Sequence, residues 1–132
     1  MLYLKSLVKV LDNSGALVVE CIKVLRKGQM NCARIGDRMV VVVKKARPIP
    51  ANLTGQQAAQ KLRKGDIRHA VVVRTKQPTS RPDGSIIRFD DNACVLLHKN
   101  GEVLASRVTG TVAKELREKG YHKLVTLAPR SV

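Results

Sequence analysis

Two short apolar runs, Ala70–Val73 and Ala93–Leu97, bracket a basic, proline-interrupted arm with Asp83-Gly84 at its tip. This stretch, AVVVRTKQPTSRPDGSIIRFDDNACVLL, constrains the fold more than any other part of the chain. Runs rich in Val and Leu bounded by turn residues suit buried strands. Pro78 and Pro82 keep the arm out of the centre of a sheet, because proline lacks the N–H that a ladder needs. The segment between the runs is therefore expected to project as an edge ribbon or loop. Such an arm is poor core material, but it can set Arg74, Lys76, Arg81 and Arg88 against a polyanion.

The rest of the first two thirds repeats the theme of strand and turn. Strands are expected at Tyr3–Leu11, Ala16–Arg26, Asp37–Ala46, Ile67–Lys76, Ser85–Asp90 and Ala93–Lys99. Between them stand Asp12–Gly15, Gly36-Asp37, Gly65-Asp66, Asp83-Gly84 and Asn100-Gly101, residue types that tolerate the positive φ of tight turns. Short strands at this spacing suggest a small barrel or sandwich. Val40–Val43 and Val71–Val73 are continuous rather than alternating, which implies strands covered on both faces. Each run then turns basic, at Lys44, Lys45 and Arg47 and at Arg74 and Lys76. Arg47–Lys64, with Pro48 and Pro50, reads as a surface excursion with a helical turn near Gln56–Leu62. The last third differs. Val112–Lys119 has helix formers, a Glu115/Lys119 pair at i,i+4 and Gly120 where a C-cap belongs. Its apolar face is Val112, Ala113 and Leu116, and Leu124–Ala128 makes a short apolar return. The chain reads as one domain, residues 1–111 mainly β and 112–132 a C-terminal helical region.

Charge is the main global property: 25 Lys+Arg against 10 Asp+Glu, a net +15. That balance predicts attraction to nucleic acid or an anionic surface. Aromatics are nearly missing, with Tyr3, Tyr121 and Phe89 and no Trp. Single-strand readers stack bases on exposed aromatics, so structured RNA or duplex held by phosphates and shape is the expected ligand. No basic amphipathic helix with a bulky apolar face is evident, which disfavours a membrane partner. Cys21, Cys32 and Cys94 are odd in number and widely spaced, so neither a disulfide framework nor a metal site is expected, and Cys94 reads as a core residue. His69, His98 and His122 each adjoin a cation, and the acids are dispersed. Asp90-Asp91 reads as a bulge or turn and Ser14 as turn chemistry. No catalytic residues, cofactor or enzyme activity are expected.

The spacing within Ala70–Leu97 resembles the signature of the universal large-subunit ribosomal protein fourteen family. A small residue and three aliphatics (Ala70, Val71–Val73) precede nine residues and a polar-Gly pair (Asp83-Gly84). After four intervening residues comes Phe89, then Asn92 after two more, then Val95-Leu96 after another two. LDNSGA at Leu11–Ala16, CIKVL at Cys21–Leu25, KGD at Lys64–Asp66 and LAP at Leu127–Pro129 are similar to the same family. The resemblance implies a five-stranded β-barrel, a projecting β-ribbon and short C-terminal helices. It implies binding to large-subunit rRNA at the face toward the small subunit, beside ribosomal proteins three and nineteen, with small-subunit rRNA reached across an intersubunit bridge. It also implies that a ribosome silencing factor docks near Ser106, Arg107 and Lys123, with Ser106 standing where Thr is usual in bacteria. On that basis Arg74, Lys76, Arg81 and Arg88, then Lys44, Lys45 and Arg47, are the candidate rRNA contacts.

The Arg47–Lys64 excursion is longer than the bacterial connection. Together with KSLVKVLDNSGA and KGYHK it resembles the fungal mitochondrial form, which implies a mitochondrial ribosome; a bacterial or plastid ribosome is the alternative address. The N-terminus, MLYLKSLVKVLDNSG, has two readings. One is a targeting peptide and the other a first strand, the latter favoured by the lack of Arg/Ser richness and of a cleavage site. A free nucleic-acid-binding barrel of the cold-shock type is the remaining alternative function. It requires surface aromatics, for which Phe89 is a thin basis.

Overall fold

The computed structural model describes residues 2–25, 32–48 and 62–132. Arg26, at the end of the expected Ala16–Arg26 strand, and all but Leu62 of the expected Gln56–Leu62 helical turn lie outside the described residues. The fold is mainly β. Strands β1 (Leu7–Val10), β2 (Ala16–Val24), β3 (Arg38–Ala46), β4 (Ile67–Arg74) and β7 (Ala93–Leu97) close into a barrel in the order β1-β2-β3-β4-β7. Four of the pairings are antiparallel, and β1 closes on β7 in parallel. The arm forms a separate two-stranded ribbon, β5 (Thr79–Ser80) with β6 (Ile86–Ile87). At its tip the Ser85 N–H donates to Asp83 Oδ1 at 3.0 Å, and Gly84 has φ +90°. The C-terminal region holds β8 (Thr111–Val112), α1 (Glu115–Glu118), α2 (His122–Leu127) and β9 (Arg130–Ser131), with β8 and β9 paired in parallel.

Two apolar clusters follow from the strand alternation. Inward residues such as Val19, Cys21, Met39, Val41, Val72, Cys94 and Leu96 fill the barrel. Outward residues of β4 and β7, namely Val71, Val73, Val95 and Leu97, meet Val112, Ala113, Leu116, Leu124 and Val125 in a second cluster. Both faces of β4 and β7 are thereby sealed: Ala70–Val73 and Ala93–Leu97 are 0% exposed. The expected helix face of Val112, Ala113 and Leu116 is buried as read, though Val112 reaches it from a strand rather than a helix.

Several expectations need correction. β3 is buried on one face, not two: Val41 and Val43 are fully buried while Val40 and Val42 are half-buried, because the C-terminal elements pack over β4 and β7. The Tyr3–Leu11 strand shortens to Leu7–Val10. Residues 3–6 turn instead, with the Tyr3 N–H donating to Ser6 Oγ at 2.9 Å and Lys5 at φ +68°. The Ser85–Asp90 strand shrinks to Ile86–Ile87, since the Phe89 N–H leaves the ribbon to bond the Thr75 carbonyl. The Val112–Lys119 helix is confined to Glu115–Glu118. The Leu124–Ala128 return is mostly a helix that begins at His122.

Gly120 ends α1 as the sequence implies. Its φ is +94°, its N–H donates to the Arg117 carbonyl, and the Tyr121 N–H donates to the Leu116 carbonyl. This pair of bonds is the Schellman closure, in which a left-handed residue lets the last carbonyls find partners. Gly36 is constrained by space as well as by φ, because a Cβ there would lie 2.7 Å from Lys119 Cγ. The three cysteines are free and buried, Cys94 within the barrel.

Candidate nucleic-acid interface

The barrel assembles a basic groove from residues far apart in sequence. Val18 pairs with Lys45 of β3 and with Lys9 of β1; Lys9 pairs with Ala93 of β7, and Ala93 with Arg74 of β4. This row brings the end of β3 and the end of β4 to the two sides of β1. The resulting groove, about 890 Å³ and open to solvent, is lined by Lys9, Lys45, Arg47, Arg74 and Lys76. Carboxylates in the lining are Asp12, Asp90 and Asp91. Asp91 is neutralised by Arg74 at 3.0 Å, and Asp12 is buried. The groove therefore keeps a cationic excess.

The candidate contacts fall into three groups. Lys45, Arg47 and Lys76 are exposed and share the groove. Lys44 stands outside its lining and faces Glu20 at 3.6 Å, a solvent-exposed pair of little strength. Arg88 is exposed on the strand-to-barrel return of the arm. Arg74 and Arg81 are committed inside the chain. Arg74 is 14% exposed and bridges to Asp91, while its buried Nε has no hydrogen-bond partner. Arg81 donates through Nε to Glu115 Oε1 at 2.6 Å and through Nη2 to the Val132 backbone oxygen. Arg81 thus ties the ribbon to α1 and to Val132, the residue that follows β9. That is positioning chemistry, invisible in a sequence where Arg81 and Glu115 are 34 residues apart.

Sequence reading does not single out Lys9. The alternation of exposed Leu7 and Lys9 with buried Val8 and Val10 is the available signal. Asn92 and Asp12 carry structural roles that sequence reading also misses. Asn92 Oδ1 accepts the Lys76 N–H at 2.9 Å and so fixes where the chain leaves β4. Asp12 Oδ1 accepts the Ser14 N–H and hydroxyl, and Oδ2 accepts the Leu96 N–H at 3.0 Å, which locks the β1–β2 turn to β7. Burial pushes the Asp12 carboxyl above its ordinary range, against the lowering effect of these bonds. Ser14 is thus turn chemistry, as read. The signature spacing acquires a physical meaning: its aliphatics are β4 and β7, Asp83-Gly84 is the ribbon tip, and Asn92 stitches the strand exit.

The expected partner surface is split between two elements. Ser106 and Arg107 are exposed and held by Asn13: Asn13 Nδ2 donates to Ser106 Oγ at 3.0 Å, and the Arg107 N–H donates to Asn13 Oδ1 at 3.2 Å. Lys123 is exposed on α2. Among the described residues no group of His, Cys, Asp and Glu is arranged to hold a metal, and no helix is long and apolar enough to cross a membrane.

Comparison with known proteins agrees with this architecture over the full length. The family model described as ribosomal protein L14p/L23e matches residues 1–132. The chain is 52% identical over 132 residues to a protein of Schizosaccharomyces pombe named large ribosomal subunit protein uL14m, covering all of both chains. It is also 52% identical over 130 residues to the Neurospora crassa protein of the same name, covering 98% of each. A matched family model and two full-length relatives, on a closed five-stranded barrel, show that this chain belongs to the L14p/L23e family of ribosomal proteins.

Proposed function

We propose that this chain is a structural, non-catalytic constituent of the mitochondrial large ribosomal subunit that binds rRNA through the β1 groove and the ribbon. The observation that carries the reading is the convergence of Lys9, Lys45, Arg47 and Lys76 on one groove, in a chain with two full-length uL14m relatives. Lysine and arginine there neutralise phosphates and release counterions, which gives affinity with little sequence dependence. Among the described residues Lys9, Lys45, Arg47, Lys76 and Arg88 are exposed cations that can reach phosphate, and Lys44 can do so by leaving its weak pair with Glu20. Arg74 and Arg81 act chiefly by holding the groove wall and the ribbon in place. Ser106 and Arg107 beside Asn13, and Lys123 on α2, are the residues that the family reading assigns to a silencing factor. Ribosomal proteins three and nineteen and the small-subunit rRNA are the neighbours that the family reading supplies.

The test is sedimentation of tagged protein in mitochondrial extracts, followed by binding of the purified chain to large-subunit rRNA at several salt concentrations. The chain should travel with large subunits. Replacing Lys76 or Arg47 by Ala should flatten the log-log salt slope by about one unit for each phosphate that is no longer neutralised. Sedimentation free of subunits, or an unchanged slope in both variants, rejects the reading.

A further inference from the structure

A second cleft lies at the other end of the β4–β7 pair. The groove sits where β4 ends and β7 begins; this cleft sits where β4 begins and β7 ends, at Ile67–His69 and Leu97–Lys99. It has a volume of about 540 Å³, within the range of small-molecule pockets. Its walls are aliphatic, with Val40, Ile67 and Leu104, and Ile67 is 57% exposed. Its polar lining is cationic or imidazole: Arg68, His69, His98 and Lys99. No carboxylate lines it among the described residues.

The imidazole of His69 is held rather than free. Arg38 Nη2 donates to His69 Nδ1 at 3.0 Å and to the Lys99 carbonyl at 3.2 Å. The accepting Nδ1 carries no proton, which leaves His69 a neutral ring with its proton on Nε2. Desolvation, then Arg38 and Lys99, keep the ring below its ordinary titration range. A flat uncharged ring beside aliphatic walls and cationic side chains suits a planar aromatic body that carries a phosphate.

We propose that this cleft receives a single unpaired nucleotide of RNA, its base against His69, Ile67 and Val40 and its phosphate at Arg68 and Lys99. Histidine and arginine planes serve as stacking surfaces where other aromatics are few, so the scarcity of Tyr, Phe and Trp does not exclude such a contact. The inference rests on the rRNA-binding reading, which favours RNA over an acidic apolar peptide as the source of the ligand. It adds a contact that reads an unpaired base rather than duplex phosphates. The barrel then holds RNA at both ends of β4–β7.

The test uses the full-length chain and RNA duplexes that differ by one bulged nucleotide, with each of the four bases tried. At least one bulged duplex should bind tighter than the uninterrupted one by about fivefold or more, the lower end of what a stacked base contributes. Ile67→Asp and Lys99→Glu, both at exposed positions, should abolish that preference and leave duplex binding intact. Lys76→Glu in the groove should weaken both RNAs alike and keep the preference. Free nucleoside monophosphates and inorganic phosphate separate the two parts of the ligand. The monophosphate should shift the Ile67 methyl and His69 ring resonances, whereas shifts caused equally by phosphate alone would overturn the base contact. If wild-type chain binds all bulged and plain duplexes equally, and Lys76→Glu weakens both, the cleft proposal fails while the groove reading stands. If no duplex binds at all, both fail. Resonance shifts with a Glu/Leu peptide and none with bulged RNA would make the cleft a protein site and overturn the proposal.

Discussion

β3 and β4 are hydrogen-bonded neighbours with nearly the same central sequence, VVVV at Val40–Val43 and AVVV at Ala70–Val73. Their surroundings differ. On β4 every one of these residues is 0% exposed, whereas on β3 burial alternates. The inward residues of both strands fill the barrel, so the difference lies entirely outside it. β4 and β7 present Val71, Val73, Val95 and Leu97 to the C-terminal elements, while β2 and β3 leave Ile22, Val40 and Val42 at least partly open. An apolar run shows that a strand can be covered twice; a distant segment decides whether it is. Here that segment is held in place by backbone bonds such as Thr109 N–H to the Leu11 carbonyl and by the Arg81–Glu115 bridge.

The largest expected effect tests the cover itself. Leu116 is fully buried in the outer cluster, so Leu116→Ala should cost about 2–5 kcal/mol in denaturant unfolding, transfer and cavity together. A loss no greater than that of an outward β3 substitution would break the contrast between the two strands. Next comes the strap. Arg81→Ala strands a partly buried carboxylate and should cost about 1–3 kcal/mol. Glu115→Ala should cost less when Arg81 is already gone, the coupling that a double-mutant cycle reads. If Arg81→Ala lowers rRNA affinity and leaves stability untouched, Arg81 is a phosphate contact and not a tie.

A smaller effect lies at the seam between β3 and β4, where His69 pairs with Val40. Its folded pKa lies below the ordinary 6.5. The unfolded chain therefore binds the proton first, and stability present above 6.5 should fall as pH drops through the lowered folded value. His69→Gln should remove that component from a stability-against-pH curve measured through this window. An unchanged curve would show that His69 does not titrate on unfolding. Asp12 has the opposite sign: its raised pKa means that its contribution declines as pH rises from the ordinary carboxylate value. Smallest of all, Val42→Thr on the open face should change stability by no more than about 0.5 kcal/mol. A larger loss would mean that this face is covered after all.

The barrel strands are legible in sequence because Val, Ile and Leu runs between Gly, Asn and Asp turns admit few alternatives. Gly15, Gly36, Gly65, Gly84 and Gly101, all in turns that the sequence implies, adopt positive φ. The C-terminal boundaries are less legible. Val112 belongs to a two-residue strand paired with Arg130-Ser131, and no local pattern encodes a partner that far along the chain. Of the candidate site, the residue types are readable and their commitments are not. Lys76 and Arg81 look alike on paper, but one faces open solvent and the other is clamped by Glu115.

The order of residues alone thus specified a basic, strand-rich, single-family chain with a projecting arm. Periodicity, turn chemistry and charge are local properties, and spacing within Ala70–Leu97 is a local record of one hairpin. Which strand faces are sealed, which cations share a groove and which arginines are internal ties depend on contacts between segments far apart in the chain. Barrel closure in the order β1-β2-β3-β4-β7 sets those contacts. It joins β1 to β7 in parallel, and so places Lys9 between Lys45 and Arg74.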